Sequence, residues 1–285
     1  MRNLLLACFV FIPFSVFADV ACNDRANEIR MSDRLDEAID VLDDCLTEEL
    51  GRVARTYLLL GLSYYEQNQQ NQAIANYSKA IEFAPAYVTA YANRGLSYTI
   101  RKDYDEALQD FSKAIDIDPA YMQAYYFRAF THQKNGDYRA AVEDFNTALT
   151  LASSESERAT IYYNRGRAYR ELDNYEDAFN DYSQAIQINP EFTRAYFSRG
   201  LLHHENKKVD EAIADYTRAI SLDDRHARAY FNRGLLYRKS GSDFRAMKDF
   251  EAATDIEPTY ARAHANRGYT MSLPLLPLLF ILALG

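Results

Sequence analysis

The chain contains few of the residues that build loops, turns and disulfide frameworks. Its 285 residues include only 10 glycines, 7 prolines and 3 cysteines, and no tryptophan. So few glycines and prolines argue against a loop-rich all-β fold and against a nucleotide-binding protein built on glycine-rich loops. The hydrophobic content of 48%, with 23 tyrosines and 16 phenylalanines, excludes a disordered chain. The composition therefore predicts a globular protein.

Positive charge is in deficit. The chain has 32 basic and 41 acidic residues, which gives a formal net charge of −9 at pH 7. A protein of this charge repels phosphate backbones, so nucleic acid is not an expected partner.

An internal repeat dominates the sequence. Glycine, or alanine once, recurs at intervals of 34 residues, with a single interval of 37: Gly61, Gly95, Ala129, Gly166, Gly200, Gly234 and Gly268. This period divides the chain into units 54–87, 88–121, 122–155, 159–192, 193–226 and 227–260, followed by a half unit, 261–271. The longer interval contains Ser156, Glu157 and Arg158, which we interpret as a loop insertion between units. A fixed period of this length is the mark of a repeat architecture.

Each unit has the pattern of a helical hairpin. In unit 88–121, Tyr91, Gly95 and Tyr98 share one helical face, and Tyr104, Ala107, Phe111 and Ala114 share a second. A short polar turn separates the two patterns, and Pro119 closes the second helix. The small residues Gly95 and Ala107 allow the two helices to approach closely.

These features resemble the tetratricopeptide repeat family, and unit 88–121 matches the family pattern at every position listed above. The resemblance covers residues 54–271 and implies an all-α, right-handed superhelical solenoid of helical hairpins. Residues 19–53 resemble a degenerate N-terminal capping repeat, because Leu35-Asp36-Glu37-Ala38 parallels Tyr104-Asp105-Glu106-Ala107.

The N-terminus has the features of a secretory signal peptide. Residues 1–18 contain Arg2, an apolar stretch over 4–17, and small residues at Val16 and Ala18 before a predicted cut at Asp19. The alternative, a membrane anchor, is disfavoured because the stretch is shorter than the roughly 20 residues that span a bilayer. We therefore expect a periplasmic or secreted protein.

Export would leave two cysteines in the mature chain. Cys22 and Cys45 are expected at facing places of the capping hairpin, where an oxidising compartment would join them as a disulfide. Two buried thiols are the alternative.

The C-terminal tail, 272–285, is apolar but holds Pro274 and Pro277, and it is too short to cross a bilayer as a helix. It is open to four interpretations: a removed anchor signal, a membrane-touching tail, an apolar cap on the last helix, or a departure from the parent sequence.

Arginine and aspartate recur together. Arginine precedes the repeat glycine in five units and aspartate precedes the aromatic residue of the second helix in the same five, whereas unit 54–87 has Leu60 and Asn76. Because both positions change together, we predict that the two side chains form structural ion pairs; an anion site is the alternative. Arg267 has no second helix to supply its aspartate.

The chain has no recognisable catalytic motif. There is no GxSxG sequence, no Walker loop and no Cys–His pair in a catalytic context. His132 and His203 occupy the unit position of Tyr98, so we expect them to pack as aromatic residues rather than to bind a metal. We predict neither enzymatic activity nor a cofactor.

The resemblance also implies a concave surface formed by the first helices. At the family's groove positions the chain has a row of asparagines, a row of aromatic residues and a set of arginines: Asn93, Asn164, Asn232, Tyr126, Tyr163, Phe197, Phe231, Arg167, Arg194 and Arg228. The asparagine row resembles the ladder by which the repeat domain of O-GlcNAc transferase holds peptide backbones. Packing between units is the alternative role of the aromatic residues.

The chain is thus predicted to be a non-catalytic scaffold that binds a protein or extended peptide in this groove. A membrane-associated assembly factor, acting through its convex face and apolar tail, is the alternative.

Overall fold

The computed structural model describes Arg25, Glu28 and residues 37–41, 54–259 and 266–267. The predicted signal peptide, the Cys22–Cys45 disulfide and the apolar tail lie outside these residues. The chain divides into two compact units, Met1–Ala152 and Ser153–Gly285. We call them the N-terminal and C-terminal units.

The described residues form twelve helices whose limits are defined at both ends. The N-terminal unit contains α1 (Ala54–Glu66), α2 (Gln70–Phe83), α3 (Val88–Arg101), α4 (Tyr104–Ile117), α5 (Met122–Asn135) and α6 (Tyr138–Leu151). The C-terminal unit contains α7 (Glu155–Glu171), α8 (Tyr175–Ile188), α9 (Thr193–Glu205), α10 (Val209–Leu222), α11 (Ala227–Lys239) and α12 (Asp243–Ile256).

The helices pair as hairpins, and the hairpins stack. Within each hairpin the first helix packs on the second, and in each unit the second helix of one hairpin packs on the first helix of the next. The predicted all-α fold of stacked helical hairpins is confirmed. None of the helices in the described ranges is long and apolar enough to cross a membrane.

A small residue lies where the two helices of a hairpin come closest. A Cβ atom added to Gly95 would lie 2.9 Å from Cε1 and Cζ of the fully buried Phe111, and one added to Gly166 would lie 2.9 Å from Cε1 of Tyr182. Since real Cβ contacts are longer, the aromatic ring of the second helix fills the space that the missing side chain leaves.

Each hairpin turn contains one residue with left-handed backbone geometry. These residues recur with the repeat and have φ angles between 57° and 87°: Asn68, Lys102, Gly136, Asp173, Lys207 and Gly241. Glycine adopts this conformation without a steric cost, and asparagine and aspartate tolerate it better than most other residues.

The interpretation of the 37-residue interval as a loop is wrong. Ser156, Glu157 and Arg158 lie inside α7, which has 17 residues where the other helices have 13 or 14. The cause is a capping box: the Ser154 hydroxyl accepts from the Glu157 backbone N–H, and the Glu157 carboxylate accepts from the Ser154 backbone N–H. This cap starts the helix one turn early.

The predicted arginine–aspartate pairs form within hairpins. Arg94 donates from Nε and Nη2 to the two carboxylate oxygens of Asp110, over 2.7 and 2.6 Å. The same bidentate geometry occurs at Arg128–Asp144, Arg165–Asp181, Arg199–Asp215 and Arg233–Asp249. All five aspartates are buried. The structural interpretation is confirmed, because the guanidinium groups are occupied by carboxylates.

The same arginines also join neighbouring hairpins. Arg94 Nη1 donates to the Ser78 hydroxyl on the preceding α2, over 3.0 Å. Equivalent bonds link Arg128 to Ser112, Arg199 to Ser183 and Arg233 to Thr217. Arg267 follows this pattern, since its Nη2 donates to Glu251, which occupies the place of these hydroxyl residues. Glu251 therefore supplies a carboxylate to Arg267 from the preceding hairpin.

Candidate functional site

The predicted groove residues were chosen from the first helices of the hairpins. Asn93 and Tyr126 lie in the N-terminal unit, and the other eight lie in the C-terminal unit. The structure brings five of these eight together around one cavity of about 420 Å³: Tyr163, Arg167, Arg194, Phe197 and Arg228. We call this cavity the arginine pocket.

Three exposed arginines line the arginine pocket, one from each first helix of the C-terminal unit. They are Arg167 on α7, Arg194 on α9 and Arg228 on α11. None of the three forms an ion pair or a side-chain hydrogen bond with any residue that the structure describes. They differ in this from Arg165, Arg199 and Arg233, whose charges are neutralised by buried aspartates.

A fourth arginine forms part of the pocket wall. Arg170 Nη2 donates to Glu205 Oε1 over 2.8 Å, which links the C-terminal ends of α7 and α9. Glu171, the one carboxylate that lines the pocket, lies beside it. Because Arg170 is already paired, the uncompensated positive charge of the pocket belongs to Arg167, Arg194 and Arg228.

Aromatic and aliphatic side chains form the floor. Phe197 is 7% exposed and packs against Tyr216, with ring centroids 5.8 Å apart, while Tyr163 packs against Tyr182 at 5.9 Å. The guanidinium of Arg228 lies 5.1 Å from the centroid of Phe197, a cation–π distance. These aromatic residues thus pack the hairpins and also line the pocket, while their role in peptide binding stays a prediction.

Two polar groups on the pocket wall are already engaged. The Tyr182 hydroxyl is hydrogen-bonded to Ser198, and burial raises the pKa of Tyr182 above its usual range, so the phenol remains protonated. Nδ1 of His226 accepts from the Ala229 backbone N–H over 3.2 Å, which requires an unprotonated Nδ1. Burial, the largest cause, lowers the pKa of His226.

The asparagine row lies outside the pocket lining. The amide nitrogens of Asn93 and Asn164 donate to the carbonyl oxygens of Thr89 and Thr160, four residues earlier in their own helices, over 2.8 and 2.9 Å. Asn164 is buried and Asn232 is half-buried. The predicted grip of these amides on a peptide backbone stays a prediction.

Phe231 and Tyr126 are engaged in similar aromatic packing. Phe231 is 6% exposed and packs on Phe250 at 5.9 Å, and Tyr126 packs on Phe145 at the same centroid distance. Neither lines the arginine pocket.

Sequence reasoning missed Glu171, Tyr182, Leu201 and His226 as pocket residues. His226 precedes α11 and Tyr182 belongs to the second helix α8, so a search of first-helix positions could not include them. The available signal was the unit position of His226, which holds an aromatic residue elsewhere, as at Phe192.

A second cavity, of about 370 Å³, lies elsewhere in the C-terminal unit and includes Tyr175, Phe179 and His203. The His203 ring meets Phe179 edge-on at 5.3 Å, so the prediction that His203 packs as an aromatic residue is confirmed. Within the part of the chain that the structure describes, no three His, Cys, Asp or Glu residues are placed to hold a metal ion.

Comparisons with known proteins agree with the repeat geometry. A model described as TPR repeat matches residues 61–99, 166–207 and 204–241. Two models described as Tetratricopeptide repeat match 88–121, and 123–155 with 227–260. No curated protein matches this chain.

Several solved structures share the fold. A tetratricopeptide repeat protein from Parabacteroides merdae is 19% identical, with a TM-score of 0.66 over 90% of this chain and 99% of that one. YrrB, a TPR protein with an unusual peptide-binding site, is 24% identical, with a TM-score of 0.54 over 67% of this chain and 97% of that one. MamA is 27% identical, with a TM-score of 0.53 over 61% and 94%.

Repeats of this kind generally mediate protein or peptide interactions, and proteins built from them are generally not catalytic. The matched models, the hairpin geometry and the regular recurrence of the arginine–aspartate pairs agree. The chain belongs to the tetratricopeptide repeat family and is a protein-interaction scaffold.

Proposed function

We propose that this protein is an exported scaffold that binds an extended acidic segment of a partner protein in the arginine pocket. The observation that carries the proposal is the set of three arginines, on three successive first helices, that have no carboxylate partner among the described residues. A guanidinium can bind a carboxylate through two parallel hydrogen bonds, and such pairs are stronger than neutral hydrogen bonds.

The lining of the pocket suits an apolar side chain as well as a carboxylate. Its floor of Tyr163, Phe197 and Leu201 offers apolar contact, while its rim is cationic. A segment that places an aliphatic or aromatic residue beside aspartate or glutamate would use both features. YrrB, whose structure resembles this one, is described as having an unusual peptide-binding site.

The arginines have the principal role in this proposal and the asparagines a secondary one. Asn93 and Asn164 already donate their amide hydrogens to helix carbonyls. We therefore expect Asn164→Ala together with Asn232→Ala to weaken binding less than loss of the pocket arginines.

The chain itself offers matched substitutions for a test. At the repeat position of Arg167 the next unit has Leu201, at that of Arg194 the preceding unit has Thr160, and at that of Arg228 unit 122–155 has Gln123. The variant Arg167→Leu, Arg194→Thr, Arg228→Gln thus carries residues that this scaffold accepts. A control variant, Lys102→Gln, Lys113→Gln, Arg139→Gln, removes the same charge from exposed sites in the N-terminal unit.

The test measures the dissociation constant of a labelled ten-residue peptide of alternating aspartate and leucine, with an asparagine–leucine peptide for comparison. A hydrogen bond to a charged group contributes about 1.5–3 kcal/mol, so the pocket variant should lose at least tenfold in affinity. The control variant should bind as the wild type does, and the asparagine peptide should bind weakly to all three. Equal binding by the pocket and control variants would contradict the proposal.

Export has a separate test. The supporting observation is the signal-like pattern of residues 1–18. Protein recovered from outside the cytoplasm should begin at Asp19, as measured by intact mass, and its mass should rise by about 2 Da on reduction if Cys22 and Cys45 are joined. A chain that retains Met1 in that fraction would contradict cleavage.

A further inference from the structure

One wall of the arginine pocket carries a ring that can gain a proton near neutral pH, whereas three other hairpins carry a tyrosine or phenylalanine ring at the same place. The residue that precedes the first helix of a hairpin by one position is Tyr87 before α3, Tyr121 before α5, Phe192 before α9 and His226 before α11, whereas Ser154 precedes α7. Phe192 packs on Tyr163 with ring centroids 5.1 Å apart, and His226 packs on Phe197 at 4.7 Å. His226 therefore packs as the aromatic residue does at this position, and its ring can also be protonated.

The hydrogen bonding of His226 favours the neutral ring at neutral pH. Its Nδ1 accepts from the Ala229 N–H at the start of α11, and a protonated imidazole can only donate. The half-buried position lowers its pKa further, and the charge of Arg228 acts in the same direction. Asp223, in the preceding turn, and a hydrogen bond with the backbone of His226 itself act in the opposite direction and raise the pKa.

Charged groups that act on His226 or line the pocket with it come from α7, α9, and α11 with its preceding turn. They are Asp223 before α11, Arg228 on α11, Arg194 on α9, and Arg167, Arg170 and Glu171 on α7. Arg170 is paired with Glu205, so the uncompensated charges near the ring are predominantly positive. A bound carboxylate would bring an opposite charge into the pocket and offset part of this positive charge.

We propose that His226 couples the affinity of the pocket for carboxylates to pH, so that the site binds an acidic segment more tightly in mildly acidic than in neutral surroundings. The inference rests on the proposed function, because the carboxylate must first occupy the arginine pocket. In the free protein the ring is neutral and caps α11. With an anion in the pocket, the ring takes up a proton and adds a positive charge to the site.

The size of the coupling follows from reciprocity. An opposite charge within about 4–6 Å raises the pKa of a histidine by roughly one unit or more. If the ligand raises the pKa of His226 by one unit, the protonated protein must bind that ligand about tenfold more tightly than the neutral protein. Aspartate in the ligand stays ionised at pH 5.5, since its ordinary pKa is about 3.9.

The test compares the pH profile of binding in the full chain and two variants. His226→Phe copies Phe192, at the start of α9, where the helix begins without a side-chain cap. His226→Asn keeps a side-chain acceptor for the cap but does not titrate. Titration of the aspartate–leucine peptide from pH 7.5 to 5.5 should show an affinity gain a few-fold larger in the wild type than in either variant, since the full tenfold is reached only where the free protein is itself fully protonated. Other histidines contribute equally to all three proteins.

A second readout follows the ring directly. The pKa of His226, measured by NMR from its ring protons, should rise when the peptide is added to the wild-type protein. If the pH profiles of the three proteins coincide and the pKa does not move, the coupling is absent although the pocket still binds peptide. If the peptide does not bind at any pH, or binds regardless of Arg167, Arg194 and Arg228, the proposed function fails and the coupling fails with it.

Discussion

The two units of the chain share the same helical hairpins and differ in the side chains that these hairpins carry at matching repeat positions. Both contain three helical hairpins with helices of closely similar length, and the arginine–aspartate pairs have the same bidentate geometry in each. The repeat position of Arg194 and Arg228, however, holds Arg55, Thr89 and Gln123 in the N-terminal unit, and that of Arg167 holds an apolar residue in all three hairpins of that unit. The arginine–aspartate pairs are common to both units, whereas a cavity lined by Arg167, Arg194 and Arg228 lies in the C-terminal unit.

The interior differs as well. One buried position of the first helix is Ser63, Ser97 and Thr131 in the N-terminal unit and Ala168, Leu202 and Leu236 in the C-terminal unit. Thr131 shares a 2.7 Å hydrogen bond with Thr99, whereas the buried Ser97 hydroxyl has no hydrogen-bond partner among the described residues. At this repeat position the C-terminal unit is thus the more apolar of the two.

The largest expected effect is the loss of stability when an arginine–aspartate pair, which both units contain, is broken. Asp181→Ala leaves Arg165 without its carboxylate, and breaking a buried pair costs about 3–5 kcal/mol. Asp110→Ala should cost as much in the N-terminal unit. The double variant Arg165→Leu, Asp181→Asn, which copies Leu60 and Asn76, should recover part of the loss. Urea unfolding measures all of these, and an unchanged midpoint for Asp181→Ala would show that the pairs do not hold the hairpins.

A smaller effect is the loss of stability on acidification, which should differ between the two units. Burial lowers the pKa of His203, His204 and His226 in the C-terminal unit, and of His132 in the N-terminal unit. A depressed histidine pKa means that the unfolded chain binds protons first, so stability is full above about pH 6.5 and falls as the pH drops below it. With three such histidines against one, the C-terminal unit should lose more stability between pH 7.5 and 5.5.

Native-state hydrogen exchange measures that difference unit by unit. Amides of α8, α10 and α12 should lose more protection on acidification than those of α2, α4 and α6. Equal losses in the two units would mean that the buried histidines do not set the acid response.

The smallest expected effect is the change in stability when one interior residue of each unit is replaced by its counterpart from the other. Ser97→Ala removes a buried hydroxyl that has no partner, and this should raise the free energy of unfolding by about 1 kcal/mol. The reverse change at the matching position, Ala168→Ser, should lower it by a similar amount. Thermal unfolding of both variants checks the pair. Destabilisation by Ser97→Ala would show that the hydroxyl has a role in the N-terminal unit.

The repeat period predicted the hairpins and the ion pairs because both depend on residues at fixed spacing. Gly95 and Phe111 indicated the helix contact, and the joint change at Leu60 and Asn76 indicated that arginine meets aspartate. The early start of α7 was missed because a capping box and a polar loop have similar compositions. The Glu251–Arg267 pair was missed because it joins neighbouring hairpins.

The pocket was only partly predictable. Arg167, Arg194 and Arg228 follow from first-helix positions, but position alone does not distinguish an arginine paired with a carboxylate, such as Arg170, from one without a partner. Nor does it show that Phe197 is buried by packing while forming the floor of a cavity. Both facts depend on the relative placement of three helices.

The most direct test of the central claim is an NMR titration of the full chain with the aspartate–leucine peptide, which observes both units at once. Backbone shifts should move around Arg167, Arg194, Phe197 and Arg228 and stay unchanged at the matching positions Thr89 and Gln123. Shifts confined to the N-terminal unit, or equal in the two, would contradict the assignment of binding to the arginine pocket.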